Sequence, residues 1–291
     1  MSDTATPSKA PQADRAEDNA YFPSPYSLSQ YTAPHTDFDG GSYNQRYRGD
    51  GRILVVASDE RYLKMGNGKL FSTGNHPVET LLPLMHLHHA GFAIELATLS
   101  GNPVKLEHWA MPRADAAVMA FYRQLLPQLH APRKLADILP RSGHAPSPYL
   151  AVFIPGGHAA LNGLPYSRDL KQLLQWAIAS DRHVISLCHG PAGLLAAALD
   201  DSASRFLFRD YSLCVFPDAI DAGANLDIGY LPGPMPWLLA ARLQDLGMTV
   251  LNEGISGQCH RDGLLLTGDS PLASNALGRL AADTLLARYG H

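Results

Sequence analysis

Near-continuous apolar runs recur along the chain at residues 52–58, 93–99, 149–154 and 184–187. Runs this short, rich in Val, Ile and Leu and without polar alternation, predict parallel strands buried on both faces. Between the first two, Leu82, Leu84 and Leu87 fall in a segment opened by Asn75-His76-Pro77 and closed by Ala90-Gly91. That is a helix: Asn75 suits the cap and Pro77 the first turn. The order strand, helix, strand implies a right-handed crossover. Helices follow over about 169–179, 192–199, 237–246 and 273–287, with strands near 213–216, 249–251 and 264–267. The whole pattern predicts an α/β fold, a doubly wound and mostly parallel sheet with helices on both faces.

Two stretches depart from that alternation. Residues 100–148 hold Trp109, a helix-like segment over 115–129 and a run rich in Pro, Arg and Lys. They read as an insert forming a small cap domain. The chain before residue 49 reads differently in its two parts. Residues 1–20 are rich in Ala, Ser, Pro and Asp and read as a disordered tail. Residues 21–48 carry Tyr21, Phe22, Tyr26, Tyr31, Phe38, Tyr43 and Tyr47, too many aromatics for a free tail, and read as an irregular arm packed with the cap. The catalytic core is then 49–99 plus 149–291.

Composition narrows the class only a little. The chain has 291 residues, 46% of them hydrophobic, and a formal charge of -4. There is no basic footprint, so no stable nucleic-acid complex is expected. Cys188, Cys214 and Cys259 form an odd set without CxxC spacing, which argues against a disulfide framework and for a reduced compartment. The first residues lack the apolar core of a signal peptide, and no apolar run is long enough to span a bilayer. A cytoplasmic protein with no membrane partner is expected.

The chemistry centres on Val184-Ile185-Ser186-Leu187-Cys188-His189-Gly190-Pro191. A buried strand runs into a helix start through one cysteine with small residues two positions to either side. This is the pattern of a nucleophile elbow. At a helix N-terminus, and beside His189, the thiol should favour its thiolate form. Three further signals fall at strand ends, where ligands bind in such sheets. Glu79 sits in the first turn of the first long helix, past the first strand, and a carboxyl beside a thiolate would hold its proton and serve as acid or base. Gly156-Gly157 follows the 149–154 strand and suits an oxyanion site, as it suits any tight turn. The loop Phe216-Pro217-Asp218-Ala219-Ile220-Asp221 offers an acid to orient His189, and local spacing leaves Asp218 and Asp221 equally open. His86, His88 and His89 share a helix without the glutamate of a metal motif, so they read as structural.

These residues together resemble the PfpI superfamily of cysteine enzymes. More narrowly, they resemble its bacterial heat-shock chaperone branch, HchA, described also as glyoxalase III and as protein/nucleic acid deglycase. The likeness spans nearly the whole chain. It includes Ala16-Glu17-Asp18-Asn19-Ala20, residues 26–32 (YSLSQYT), residues 67–77 (NGKLFSTGNHP), Trp109-Ala110-Met111-Pro112, the elbow, and Leu266-Thr267-Gly268-Asp269-Ser270-Pro271. The resemblance implies a flavodoxin-like core of PfpI type and a homodimer. It also implies Cys188 as nucleophile with His189 beside it, Asp221 as orienting acid and Glu79 next to the cysteine. The family's metal site, two histidines and a glutamate, is matched only at His88, because Ala93 and Leu125 occupy the other positions. No metal and no cofactor are therefore expected. The implied activity is conversion of methylglyoxal or glyoxal to hydroxy acids, and removal of early glycation adducts from proteins and nucleotides under stress. The rival expectations are a holding chaperone for unfolded clients, its surface supplied by the aromatic arm, and a PfpI-like cysteine peptidase.

Overall fold

The computed structural model describes residues 6–139 and 147–290. Residues 1–5 of the expected tail and 140–146 of the expected insert lie outside the described residues. The core is a seven-stranded sheet. Its strands are β1 (Arg52–Val56), β2 (Ala93–Thr98), β3 (Arg133–Lys134), β4 (Tyr149–Ile154), β5 (His183–Leu187), β6 (Cys259–Asp262) and β7 (Leu265–Gly268). They lie in the order β6-β7-β5-β4-β1-β2-β3. All neighbours are parallel except the β6–β7 pair.

Side chains alternate between the two faces, as a period of two requires. Leu54, Val56, Val152, Ile154 and Val184 enter one apolar cluster, while Ile53, Val55, Ala151, Phe153 and Ile185 enter the other. The first face is covered by α3 (Arg168–Ala179) through Leu170, Leu173, Leu174 and Ala177. The second is covered by α1 (Pro77–His89) and α4 (Ser274–Tyr289), which lie against each other. Gly278 permits that approach: a Cβ there would sit 2.6 Å from the His86 ring and 2.8 Å from the Pro83 Cα.

The 100–148 segment corrects the expectation of a separate cap. Its helix α2 (Ala116–His130) buries Val118, Phe121, Leu125 and Leu129, a helical stripe, in the same cluster as α1 and α4. After it, β3 pairs in parallel with β2 and lengthens the core sheet. The segment is thus one more helix and strand of the winding, because its apolar face is long enough to be worth burying on the sheet. The small second sheet is built from other parts of the chain. Gln12–Ala13, Ala20–Phe22, Leu70–Ser72 and Tyr62–Lys64 form it.

That sheet also corrects the disordered tail. Gln12–Ala13 pairs antiparallel with Ala20–Phe22, Asp14 is buried, and Tyr62 Oη donates to its carboxylate at 3.2 Å. The arm starts with a regular helix, Pro25–Tyr31, capped by Ser24. It then runs over the core, with Tyr47 stacked on Phe92 at 4.8 Å and Tyr43 Oη bonded to His86 Nδ1 at 2.7 Å. Cys259–Asp262, which the sequence pattern did not mark as a strand, closes the β6–β7 hairpin at the sheet edge. Among the described residues, no helix is long and apolar enough to cross a membrane.

Because Phe121 is only 5% exposed within the core cluster, Phe121→Ala should lower the unfolding free energy by about 3–5 kcal/mol. A peripheral cap helix would lose far less. Urea unfolding of the two proteins measures the difference.

Candidate active site

Strand β5 ends at Leu187, and a 3-10 helix runs over Gly190–Ala198, where the sequence pattern had predicted a helix from 192. Cys188 stands between them with φ +56°, in the left-handed region that a side chain normally avoids. Its backbone is pinned on both sides. Its N–H donates to Gly268 O at 2.9 Å, and its carbonyl accepts the Phe216 N–H at 3.0 Å. The flanks must be small for this turn to close. A Cβ on Gly190 would sit 2.5 Å from both Ile154 O and Ser186 Oγ. One on Gly156 would sit 2.9 Å from the Cys188 Cβ and 2.0 Å from Glu79 Oε2. Gly156 therefore serves by leaving room for the cysteine and the glutamate.

The side chains behind the thiol form a line. Cys188 Sγ lies 3.3 Å from His189 Nδ1, and His189 Nε2 lies 2.7 Å from Asp221 Oδ2. A proton on Nε2 for the carboxylate leaves the Nδ1 lone pair facing the sulfur. The choice left open by spacing is thus decided. Asp221 is buried against the histidine, whereas Asp218 binds the Ala240 and Ala241 amides at 2.9 and 2.8 Å. Asp221 has a second imidazole that sequence reasoning missed. His158 Nε2 lies 3.1 Å from Oδ1, where Asn225 Nδ2 also donates at 2.7 Å. The His158 and His189 rings are 3.9 Å apart, and Phe216 stacks on the other face of His189 at 4.6 Å. His158 follows directly after Gly157, which was the available signal.

Burial sets the protonation states. The Glu79 carboxyl is fully buried and neither oxygen has a partner of hydrogen-bond geometry. Desolvation holds it well above the usual carboxylate range, so it carries its proton at neutral pH. Cys188 is 4% exposed. Burial first, then the Glu79 carboxyl, push its thiol well above the ordinary value, while the His189 amide at the sulfur acts the other way. This overturns the expected low-pKa thiolate: the helix end is present, but the site is too dry for a resting anion. His189 is lowered by burial and by its neighbour His158. Asp221 is buried, yet the His158 and His189 charges and hydrogen bonds hold it well below the carboxylate range. His158 is raised because Asp221 outweighs its burial.

Cys188, Glu79, His189, Gly157 and His158 all line one cavity of about 380 Å³, whose outer wall includes Tyr31, Ile255 and Leu272. Gly157 takes φ +106°, where its amide makes no hydrogen bond among the described residues. The His189 amide makes no backbone hydrogen bond among the described residues and faces the Cys188 sulfur. Gly157, expected at the oxyanion site, and the His189 amide are therefore the backbone donors in the cavity that Cys188 lines.

The metal site implied by the family resemblance does not fit this chain. His88 is half-buried and 3.5 Å from the Gln124 amide nitrogen. Leu125 is a core side chain at 4% exposure, and Ala93 offers no donor atom. Among the described residues, the group with metal-ligand spacing is His158, His189 and Asp221. Those atoms are already engaged with one another.

A strained cysteine at a strand-to-helix elbow, backed by histidine and carboxylate on a doubly wound sheet, defines an α/β enzyme built around a cysteine. The chain belongs to the DJ-1/PfpI family, whose model matches residues 70–204. It is 58% identical over 289 residues to the protein/nucleic acid deglycase HchA of Pseudomonas aeruginosa strain LESB58, covering 99% of each chain. It is 55% identical over 280 residues to the protein of the same name from Staphylococcus aureus strain MSSA476, covering 96% of this chain and 95% of that one. Two solved structures share the fold. Glyoxalase III of Candida albicans has a TM-score of 0.62 at 20% identity, over 82% of this chain and 98% of that one. The Rapid Encystment Protein 24 kDa of Francisella tularensis has a TM-score of 0.65 at 17% identity, over 81% and 99%.

Two outcomes follow from these charges. If the Glu79 carboxyl raises the Cys188 thiol, Glu79→Gln should move the pH profile of Cys188 alkylation by iodoacetamide to lower pH. A profile that stays or moves up contradicts the coupling. Asp221→Asn should lower the His158 titration midpoint, read by NMR of labelled histidine. The linkage has a definite sign: with its folded value raised, His158 contributes stability below its ordinary 6.5 and loses it as pH rises through the folded value. That pH dependence should shrink in the variant.

Proposed function

We propose that this protein is a cofactor-independent cysteine enzyme acting on methylglyoxal, glyoxal and their early adducts with proteins and nucleotides, a glutathione-independent glyoxalase and deglycase. The observation that carries the reading is the Cys188–His189–Asp221 line, with Cys188, His189 and Glu79 lining a single cavity, in a chain similar end to end to proteins named deglycase.

His189 Nδ1 takes the thiol proton as Sγ bonds to the aldehyde carbon, and the Asp221 carboxylate stabilises the imidazolium that forms. The new alkoxide is held by the Gly157 and His189 amides and is protonated to the hemithioacetal by the imidazolium. Glu79 delivers its proton to the adjacent carbonyl oxygen. As carboxylate it then removes the hydrogen from the sulfur-bearing carbon, giving an enediol. It returns that proton to the second carbon as the enediol hydroxyl next to sulfur loses its own to His189. The first carbon is thereby oxidised to a thioester while the second is reduced to an alcohol. Water cleaves the thioester to a hydroxy acid and regenerates the thiol, and the His189 imidazolium proton returns through water to the Glu79 carboxylate. In a glycated amine, the amine leaves from the carbon bound to sulfur, and the repaired side chain is released.

The rival expectations are weaker on this structure. Of the arm's aromatics, Tyr31 is the exposed one, while Tyr43 and Tyr47 pack onto the core. The arm is therefore a poor client surface for a holding chaperone. A cysteine at 4% exposure at the base of a small cavity suits a small carbonyl better than an extended peptide backbone. The homodimer implied by the family resemblance and the cytoplasmic location expected from the cysteine usage and the apolar pattern belong to the same proposal.

Lactate formation from methylglyoxal without glutathione tests the reading. Cys188→Ala should abolish it while the fold and melting temperature are kept. Cys214→Ala and Cys259→Ala should retain it, since Cys214 lies in the core and Cys259 on β6. Glu79→Gln should lose about a hundredfold or more in kcat, the usual scale for a general acid–base group. Turnover in Cys188→Ala would refute the mechanism.

A further inference from the structure

Buried polar side chains nearly always find partners. Among the described residues, five of the eleven exceptions lie around one cavity. His76 Nδ1, Glu79 Oε1 and Oε2, Glu107 Oε2 and Asn225 Oδ1 are all buried without a hydrogen-bond partner among the described residues, and all four residues line the Cys188 cavity. Glu79 is accounted for by proton transfer. Glu107 is not, although leaving a buried carboxylate oxygen unpartnered is costly.

Glu107 is placed with care. The residue is 0% exposed, and the Thr73 hydroxyl donates to Oε1 at 2.6 Å, which fixes the carboxyl and leaves Oε2 free. Its own backbone joins the wall of the site, with the Glu107 N–H donating to Asn75 O at 3.0 Å. An α-oxoaldehyde is hydrated in water, and its conversion creates a hydroxyl on the carbon next to the one bound to sulfur. Such a ligand brings O–H donors into a dry cavity and needs an acceptor there.

We propose that Glu107 is a substrate-binding residue, its Oε2 accepting the hydrogen bond of a hydroxyl on the carbon adjacent to the one attacked by Cys188. The ligand class is thus the hydrated or hydroxylated small carbonyl compound. The inference rests on the proposed function and extends it. Burial raises Glu107 to about 7, against the lowering influence of His158, Thr73, Arg61 and the Gly74 amide. Glu79 and Tyr230 face it as well. Acid therefore converts the acceptor into a neutral carboxyl near neutral pH, weakening its hold on the hydroxyl.

The test is steady-state kinetics of Glu107→Gln with methylglyoxal. kcat/KM should fall roughly tenfold or more, because the hydroxyl that Oε2 accepts is formed on the second carbon during turnover. In the wild type kcat/KM should fall as pH drops below about 7, and in the variant that dependence should flatten. Thr73→Val, which frees the carboxyl without removing it, should lower kcat/KM several-fold and keeps the test open if the glutamine variant folds poorly. An unchanged kcat/KM, or a pH dependence that persists in Glu107→Gln, overturns the proposal. A second arm separates it from the turnover reading. Hydroxyacetone binding to Cys188→Ala, followed by calorimetry, should weaken roughly tenfold when Glu107→Gln is added. If that binding depends on Glu107 while wild-type protein makes no lactate, the catalytic reading fails and the binding residue stands. If lactate forms but binding ignores Glu107, the reverse holds.

Discussion

Everything at this site depends on one backbone constraint, the left-handed turn at Cys188. A non-glycine residue with φ +56° is strained by about 1–3 kcal/mol. Two backbone hydrogen bonds hold it there, one from the Cys188 amide to Gly268 and one to its carbonyl from Phe216. The turn lifts the thiol off the sheet and aims it into the cavity. It also explains the small neighbours: Gly156, Ser186 and Gly190 leave the space that the turn occupies. The strain is sustained by the winding of the whole sheet, since Gly268 ends β7 and Ser186 belongs to β5.

Asp221 plays the complementary electrostatic part. It is a buried anion facing two imidazoles and an amide. A lone carboxylate in such a place would be neutralised, but opposite charge and donated hydrogen bonds reverse that outcome. Glu79 shows the other result of the same rule. With only the Cys188 thiol acting against desolvation, burial wins and it keeps its proton. Two carboxyl groups of one site are thus pushed apart in pKa, which is what assigns one to stabilise charge and the other to move protons.

The segment before residue 49 ties these parts together. Ser24 Oγ donates to Ile228 O at 2.6 Å, next to the loop that carries Tyr230 to the cavity. Tyr31, at the end of the arm's short helix, forms part of the cavity wall. Thr36 Oγ1 donates to Asp115 Oδ2 at 2.6 Å, while the other Asp115 oxygen caps α2. The arm is therefore both a rim of the site and a clamp on the helix that the core has absorbed.

The amino-acid sequence by itself determined the strand runs, the long helices, the elbow and the closeness of Cys188 and His189. Each of these is local, written in a period of two, a period of 3.6 or a cluster of small residues. It also marked Glu79, because it opens the first long helix after the first buried strand, and Gly156-Gly157, because they follow directly on one. Tertiary structure alone decided the rest. Whether residues 100–148 form a cap or a layer of the core depended on where the stripe from Val118 to Leu129 found an apolar partner. Whether residues 12–22 pair depended on a strand near residue 70. Asp221 over Asp218, the second histidine at 158 and the buried Glu107 are matters of distance across loops far apart in the chain. The state of the Cys188 thiol was decided there too. A helix end is visible in sequence, but the dryness that outweighs it is a property of the packed cavity.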